Sequence, residues 1–161
     1  KRELPATLSI TFAEDPPAYI LNTKEAQPIQ VSLSGVTSSH AATEEKLIVF
    51  DATSHMESDF IATNERAVVP IRHQVLVGIS QAITNSLSDA QTPSATIIWE
   101  DNTKILLKIP EKPLIIISTD SMREKPYALT AILQSQQIDT FAEPISEIDA
   151  RFNLPVLRTQ Q

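Results

Sequence analysis

Two glycines in 161 residues, Gly35 and Gly78, set the tightest limit on what this chain can become. Glycine is the residue that enters left-handed backbone freely and lets main chain approach a ligand closely, and average usage of roughly 7% would give about eleven. Neither a GxGxxG fingerprint nor a GxxxxGK phosphate loop can be assembled from two. No GxSxG elbow surrounds any serine, so the usual backbone oxyanion donor next to a nucleophile is missing. Turns must come instead from eleven prolines and from runs of Ser, Thr and Asn. The chain therefore reads as short regular elements stopped by proline and polar clusters.

Between those stops lies enough apolar material for a core. Leu, Ile, Val and Phe supply 46 of the 161 residues, whereas disordered chains usually fall below about 20% in these four. The length suits one domain with at most the remnant of a second. A net charge of −7 offers no attraction to phosphate backbones or anionic lipid heads, so nucleic acid is not an expected partner. Cysteine is absent, which removes disulfides and thiolate metal sites. No apolar run reaches the 18 or so residues of a membrane span. No cofactor is expected.

The periodicity alternates between two and 3.6. Leu8, Ile10 and Phe12 alternate with Thr7, Ser9 and Thr11 as a half-buried strand, halted at Asp15-Pro16-Pro17. Ala18–Leu21 and then Ile29, Val31 and Leu33 resume as strands, residues 34–45 read as a loop, and Leu47–Phe50 reads as a central strand. From His73 to Ser88 the spacing of Leu76, Ile79, Ile83 and Leu87 predicts a helix, with Pro70 just ahead of it. Thr96–Trp99 and Lys104–Ile109 form a hairpin around Glu100-Asp101-Asn102-Thr103, followed by a buried strand at Leu114–Ile117. A capping box at Ser121-Met122-Arg123-Glu124 opens a second helix through Leu129, Ile132 and Leu133. A strand from Ile145, an Asn-containing break and a strand ending near Arg158 close the chain. This order predicts an α+β fold, a mainly antiparallel mixed sheet with two helices packed on one face.

Chemistry-bearing residues are sparse. In Asp51-Ala52-Thr53-Ser54-His55-Met56-Glu57-Ser58-Asp59 an extended chain would put His55, Glu57 and Asp59 on one side as metal ligands, and a metal-dependent hydrolase centred on His55 is one reading. The other is a solvated loop, since His40 and His73 sit in unrelated contexts and zinc would want a second histidine nearby. The carboxylate pairs Glu14-Asp15, Glu44-Glu45 and Glu100-Asp101 all lie in turn-like settings, where nothing raises a carboxyl for acid–base work. Trp99, beside Ile97 and Ile98, reads as core. Phe152 follows Arg151 near the chain's end, and both core packing and partner contact remain open for it.

The opening run, with Arg2, Pro5, the strand Leu8–Phe12, Glu14 and Pro17, resembles the segment that ends the POTRA domain in the bacterial cell-division proteins FtsQ and DivIB. The closing run Glu147-Ile148-Asp149-Ala150-Arg151-Phe152 resembles that family's Tyr-(Ile/Val)-Asp-Leu-Arg-(Phe/Tyr) strand. Glu147 and Ala150 stand where the family has Tyr and Leu, and Asp51-Ala52-Thr53-Ser54 lacks the glycine the family places after its early Asp. The resemblance implies that residues 1–17 are the last strand of a POTRA-like domain and its link, and that residues 18–161 are a β domain. It also implies a non-enzymatic extracytoplasmic scaffold of the divisome, held in the cell membrane by one upstream span. FtsB- and FtsL-like proteins would be its partners, bound by strand addition at the C-terminal edge around Arg151, Phe152, Leu157 and Arg158. A periplasmic or surface ligand-binding module unrelated to division is the rival reading.

Overall fold

A computed structural model describes residues 15–25, 27–38, 47–62, 66–87, 95–135 and 144–159. The strand expected at Leu8–Phe12, and with it most of the POTRA-like segment, lies outside the described residues, as does His40. Among the described residues nine strands form one sheet in the order β11-β10-β9-β8-β7-β4-β1-β2-β3. They are β1 (Pro17–Thr23), β2 (Ile29–Ser32), β3 (Thr37–Ser38), β4 (Val49–Ala52), β7 (Thr96–Asp101), β8 (Lys104–Lys108), β9 (Leu114–Ile117), β10 (Ile145–Asp149) and β11 (Val156–Thr159). A separate small hairpin joins β5 (Ile61–Ala62) to β6 (Ala67–Val68). Only β1–β4, β4–β7 and β9–β10 run parallel; the other pairings of the large sheet are antiparallel. The fold is α+β, as the order of elements predicts.

The register explains why this sheet closes on one face. Ile29, Leu21, Phe50, Ile97, Leu107, Ile115, Ile148 and Leu157 stand opposite one another strand by strand, a single apolar row across the sheet. All but Leu157, at the far edge, are buried. Each such side chain contributes about 1.5–3 kcal/mol when fully removed from water. A one-residue slip would turn the whole row outward, which pins the register. The neighbouring row on the opposite face runs Asn22, Asp51, Ile98, Leu106, Ile116, Asp149 and Val156.

Among the described residues three α-helices pack with the apolar row. α1 (Pro70–Ser86) contributes Val75, Leu76, Ile79, Ala82 and Ile83 to the same core, α2 (Thr119–Glu124) contributes Met122, and α3 (Pro126–Gln134) contributes Leu129. α1 starts three residues before the predicted His73 because Pro70 occupies the first turn, where its missing N–H costs no helix bond. The predicted second helix is two helices. Ser118, not Ser121, is the cap: its hydroxyl accepts from Ser121 N–H at 3.1 Å while Ser121 Oγ accepts from Ser118 N–H at 2.9 Å. Lys125 then leaves helical geometry (φ −139°, ψ 61°), as the residue before a proline tends to. Among the described residues no helix is long and apolar enough to cross a membrane.

Two turns show how a glycine-poor chain manages its corners. In the β7–β8 hairpin Asp101 Oδ1 accepts from Thr103 N–H at 2.6 Å and from Thr103 Oγ1 at 2.7 Å, an Asx turn doing the work of Asn-Gly. Asp51 caps Thr53 in the same way at the end of β4. Between β2 and β3, inside the predicted loop, Gly35 takes φ +92°. A Cβ there would lie 3.2 Å from the His73 ring. That ring sits between Leu33 C=O, 2.9 Å from Nε2, and the Tyr19 hydroxyl, 3.0 Å from Nδ1. A carbonyl only accepts, so Nε2 donates to Leu33, and burial pushes the Tyr19 phenol well above its ordinary pKa.

Candidate functional site

The residues singled out at the end of the chain do come together, on the last hairpin of the sheet. β10 is the inner strand of that hairpin, paired in parallel with β9, and β11 pairs antiparallel with β10. Among the described residues no strand pairs with the other side of β11, and all four of its residues are exposed. Phe152 lies in the connection between the two strands with 59% of its surface exposed, and Leu154 beside it is 81% exposed. Val156 and Leu157 add two more exposed apolar side chains. Core packing of the Phe152 ring, one of the two readings its position allows, is not what is found.

The charged members of the set are tied down rather than free. Asp149 is the last residue of β10, and Arg151 follows two positions later in the connection to β11. Asp149, only 1% exposed, accepts from Arg151 Nε at 2.8 Å and Nη2 at 2.6 Å, a bidentate pair, and from Arg151 N–H at 3.3 Å. The Arg151 hydrogen bonds hold the Asp149 carboxyl below its ordinary pKa against the opposing effect of burial. The Arg151 guanidinium carbon also stands 5.7 Å from the centre of the Phe152 ring. Arg158, 59% exposed, pairs across the hairpin with Glu147, directly opposite in the register. Lys125, at the break between α2 and α3, donates to Asn153 Oδ1 and fastens the connection to the helical layer. Asp149, Glu147 and Asn153 are the residues sequence reasoning missed here, although the i, i+2 spacing of Asp149 and Arg151 was a legible cue.

Around Phe152 the surface is notched but not hollow. On one side a recess of about 50 Å³ runs along Ile117, Met122, Leu129, Ile132, Ala150 and Pro155. On the other an open recess of about 190 Å³ is lined by Thr103, Ser118, Asp120 and Arg151. Ligand pockets typically enclose about 300–1,000 Å³, and neither recess beside Phe152 reaches that size.

The His55 cluster takes a different shape from the extended one predicted. After β4 the chain turns, and Glu57–Asp59 form a single 3₁₀ turn instead of continuing as a strand. His55 Nε2 lies 2.8 Å from Glu100 C=O, and Nδ1 lies 3.7 Å from Asp59 Oδ2, an oxygen that already accepts from Met56 N–H at 3.0 Å. His55 and Asp59 are thus brought together as a turn brace. Among the described residues no three His, Cys, Asp or Glu side chains group as metal ligands.

No family model and no curated protein matches this chain.

Proposed function

We propose that this chain is the β domain of a non-enzymatic, extracytoplasmic scaffold of the bacterial divisome, of the FtsQ/DivIB kind, held to the cell membrane by one upstream span. It captures an FtsB- or FtsL-like partner by accepting a strand along β11. The observation that carries the reading is the open edge of β11. A sheet edge leaves a row of N–H and C=O groups unpaired, a template that natural proteins cover, twist or charge unless it serves to bind. Exposed Phe152, Leu154, Val156 and Leu157 cluster at this edge, as aromatic and apolar anchors do in interfaces. The resemblance supports the same place, because the segment Asp149-Ala150-Arg151-Phe152 leads directly into the open strand.

The test uses the FtsB–FtsL-like coiled-coil pair encoded in the same genome, with the present chain immobilised. Binding is expected for the intact chain and is expected to vanish when residues 155–161 are deleted. Undiminished binding by the shortened chain would overturn the reading.

A further inference from the structure

We infer that β11 is built to pair with a strand of a different polypeptide and not with its own copy, through the main-chain groups of Leu157 and Thr159, and that the partner strand carries an acidic residue opposite Arg158 flanked by apolar ones. The inference rests on the strand-docking reading above and adds the partner's chemistry to it.

The direction of each main-chain group follows from two bonds. In an antiparallel pair the N–H and C=O of one residue point to the same side and those of the next residue to the other. Ala150 N–H donates to Ile116 C=O at 2.8 Å, so Ala150 faces β9 and the preceding Asp149 faces β11. Asp149 is registered against Val156, which therefore faces inward. Independently, Ser146 Oγ on β10 donates to Arg158 C=O at 3.1 Å across a register shift between Ile145 and Glu147, which turns Arg158 inward as well. Both bonds give one parity. Val156 and Arg158 point to β10, while Pro155, Leu157 and Thr159 point to the open side. Proline has no N–H, so position 155 loses no ladder bond there, but it denies a docking strand a donor and closes the register at that end.

This parity works against self-pairing. Two copies of β11 could use all four outward groups only with Leu157 opposite Thr159, and that alignment sets Arg158 directly against its own copy. Like charges placed opposite each other across a ladder are destabilising. Shifting the alignment to centre on Leu157 relieves the charges but sets Thr159 against Pro155, which has no N–H to give. A foreign strand escapes both penalties if an acidic side chain meets Arg158, whose guanidinium is well exposed beyond its contact with Glu147. Its neighbours then fall on the other face, alongside Leu157, which continues the apolar row of Ile148 and Ile115.

Amide exchange followed by NMR on the intact chain alone reads the parity. Leu157 and Thr159 N–H are expected to exchange at least tenfold faster than Val156 and Arg158 N–H, and the reverse order would overturn the inference. Sedimentation is expected to give a monomer, with concentration-dependent dimerisation appearing in Arg158→Gln. A wild-type dimer abolished by Thr159→Pro would refute the choice of partner. With the coiled-coil pair as probe, Thr159→Pro, which touches no inward bond, is expected to weaken binding at least tenfold at an unchanged Tm. Arg158→Gln is expected to weaken it severalfold, and equal or tighter binding by that variant would remove the acidic residue from the proposal. Binding that survives deletion of residues 155–161 refutes the parent reading while the exchange pattern still stands or falls by itself.

Discussion

Phe152→Ala separates an interface residue from a core residue in one substitution, because the structure sets different sizes for the two effects. With 59% of its surface exposed, about two-fifths of the ring is covered. Full burial of such a side chain is worth about 1.5–3 kcal/mol, so truncation forfeits about 1 kcal/mol of packing. Losing the Arg151 contact over the ring adds about 0.5 kcal/mol at an exposed site. A total near 1.5 kcal/mol lowers Tm by about 3–6 °C for a domain of this length. An anchor of a protein interface, by contrast, loses about 2 kcal/mol or more of binding on truncation, which is about thirtyfold in Kd. The assay pairs a thermal melt with titration of the coiled-coil pair. A stability loss of about 3–5 kcal/mol, the range for a buried Phe, with affinity intact in the surviving folded protein, would refute the reasoning.

Arg151→Ala should strand the Asp149 carboxylate in a nearly closed site and cost about 2 kcal/mol in chemical denaturation; a cost under about 0.5 kcal/mol would show that water replaces the guanidinium. The same pair predicts an acid limb. Because the folded-state carboxyl lies below the unfolded value of about 3.9, its contribution is complete above about pH 4 and is lost as pH falls through the folded value, since the unfolded chain binds the proton first. Asp149→Asn should flatten that limb, and an unchanged pH profile would assign the acid sensitivity to other groups. Gly35→Ala should destabilise the fold by about 1–3 kcal/mol, since φ +92° and contact with the His73 ring act together; an unshifted melt would mean that the turn rearranges without strain.

Local pattern made the elements legible and left their partners illegible. The spacing of Leu76, Ile79 and Ile83 gave α1, and alternation gave the strand at Leu21 and Val31, because each signal sits within a few residues of chain. The parallel pairings of β1 with β4 and of β4 with β7 join segments far apart in sequence, and no local period encodes which strand lies beside which. Ser118 and Ser121 both suit a cap with a polar residue three positions on, so the helix start slipped by three and the break at Lys125 was absorbed into one helix. At the edge, Phe152 and Leu157 stood out by type and position. Whether Arg151 and Arg158 were free could not be read from them, because that depends on Asp149 and Glu147 lying on the same face of a finished hairpin.

Among the described residues β11 has one neighbouring strand, β10, and all four of its residues are exposed, so its opening releases little surface and lies at the low end of the molecule's local unfolding free energies. If β11 docks a partner strand as proposed, its fraying removes the template while leaving the rest of the sheet folded. A partner's apparent Kd is then the intrinsic value divided by the fraction of molecules whose β11 is zipped. A substitution at Ser146, whose hydroxyl donates to Arg158 C=O inside the hairpin, would tune recruitment through that fraction.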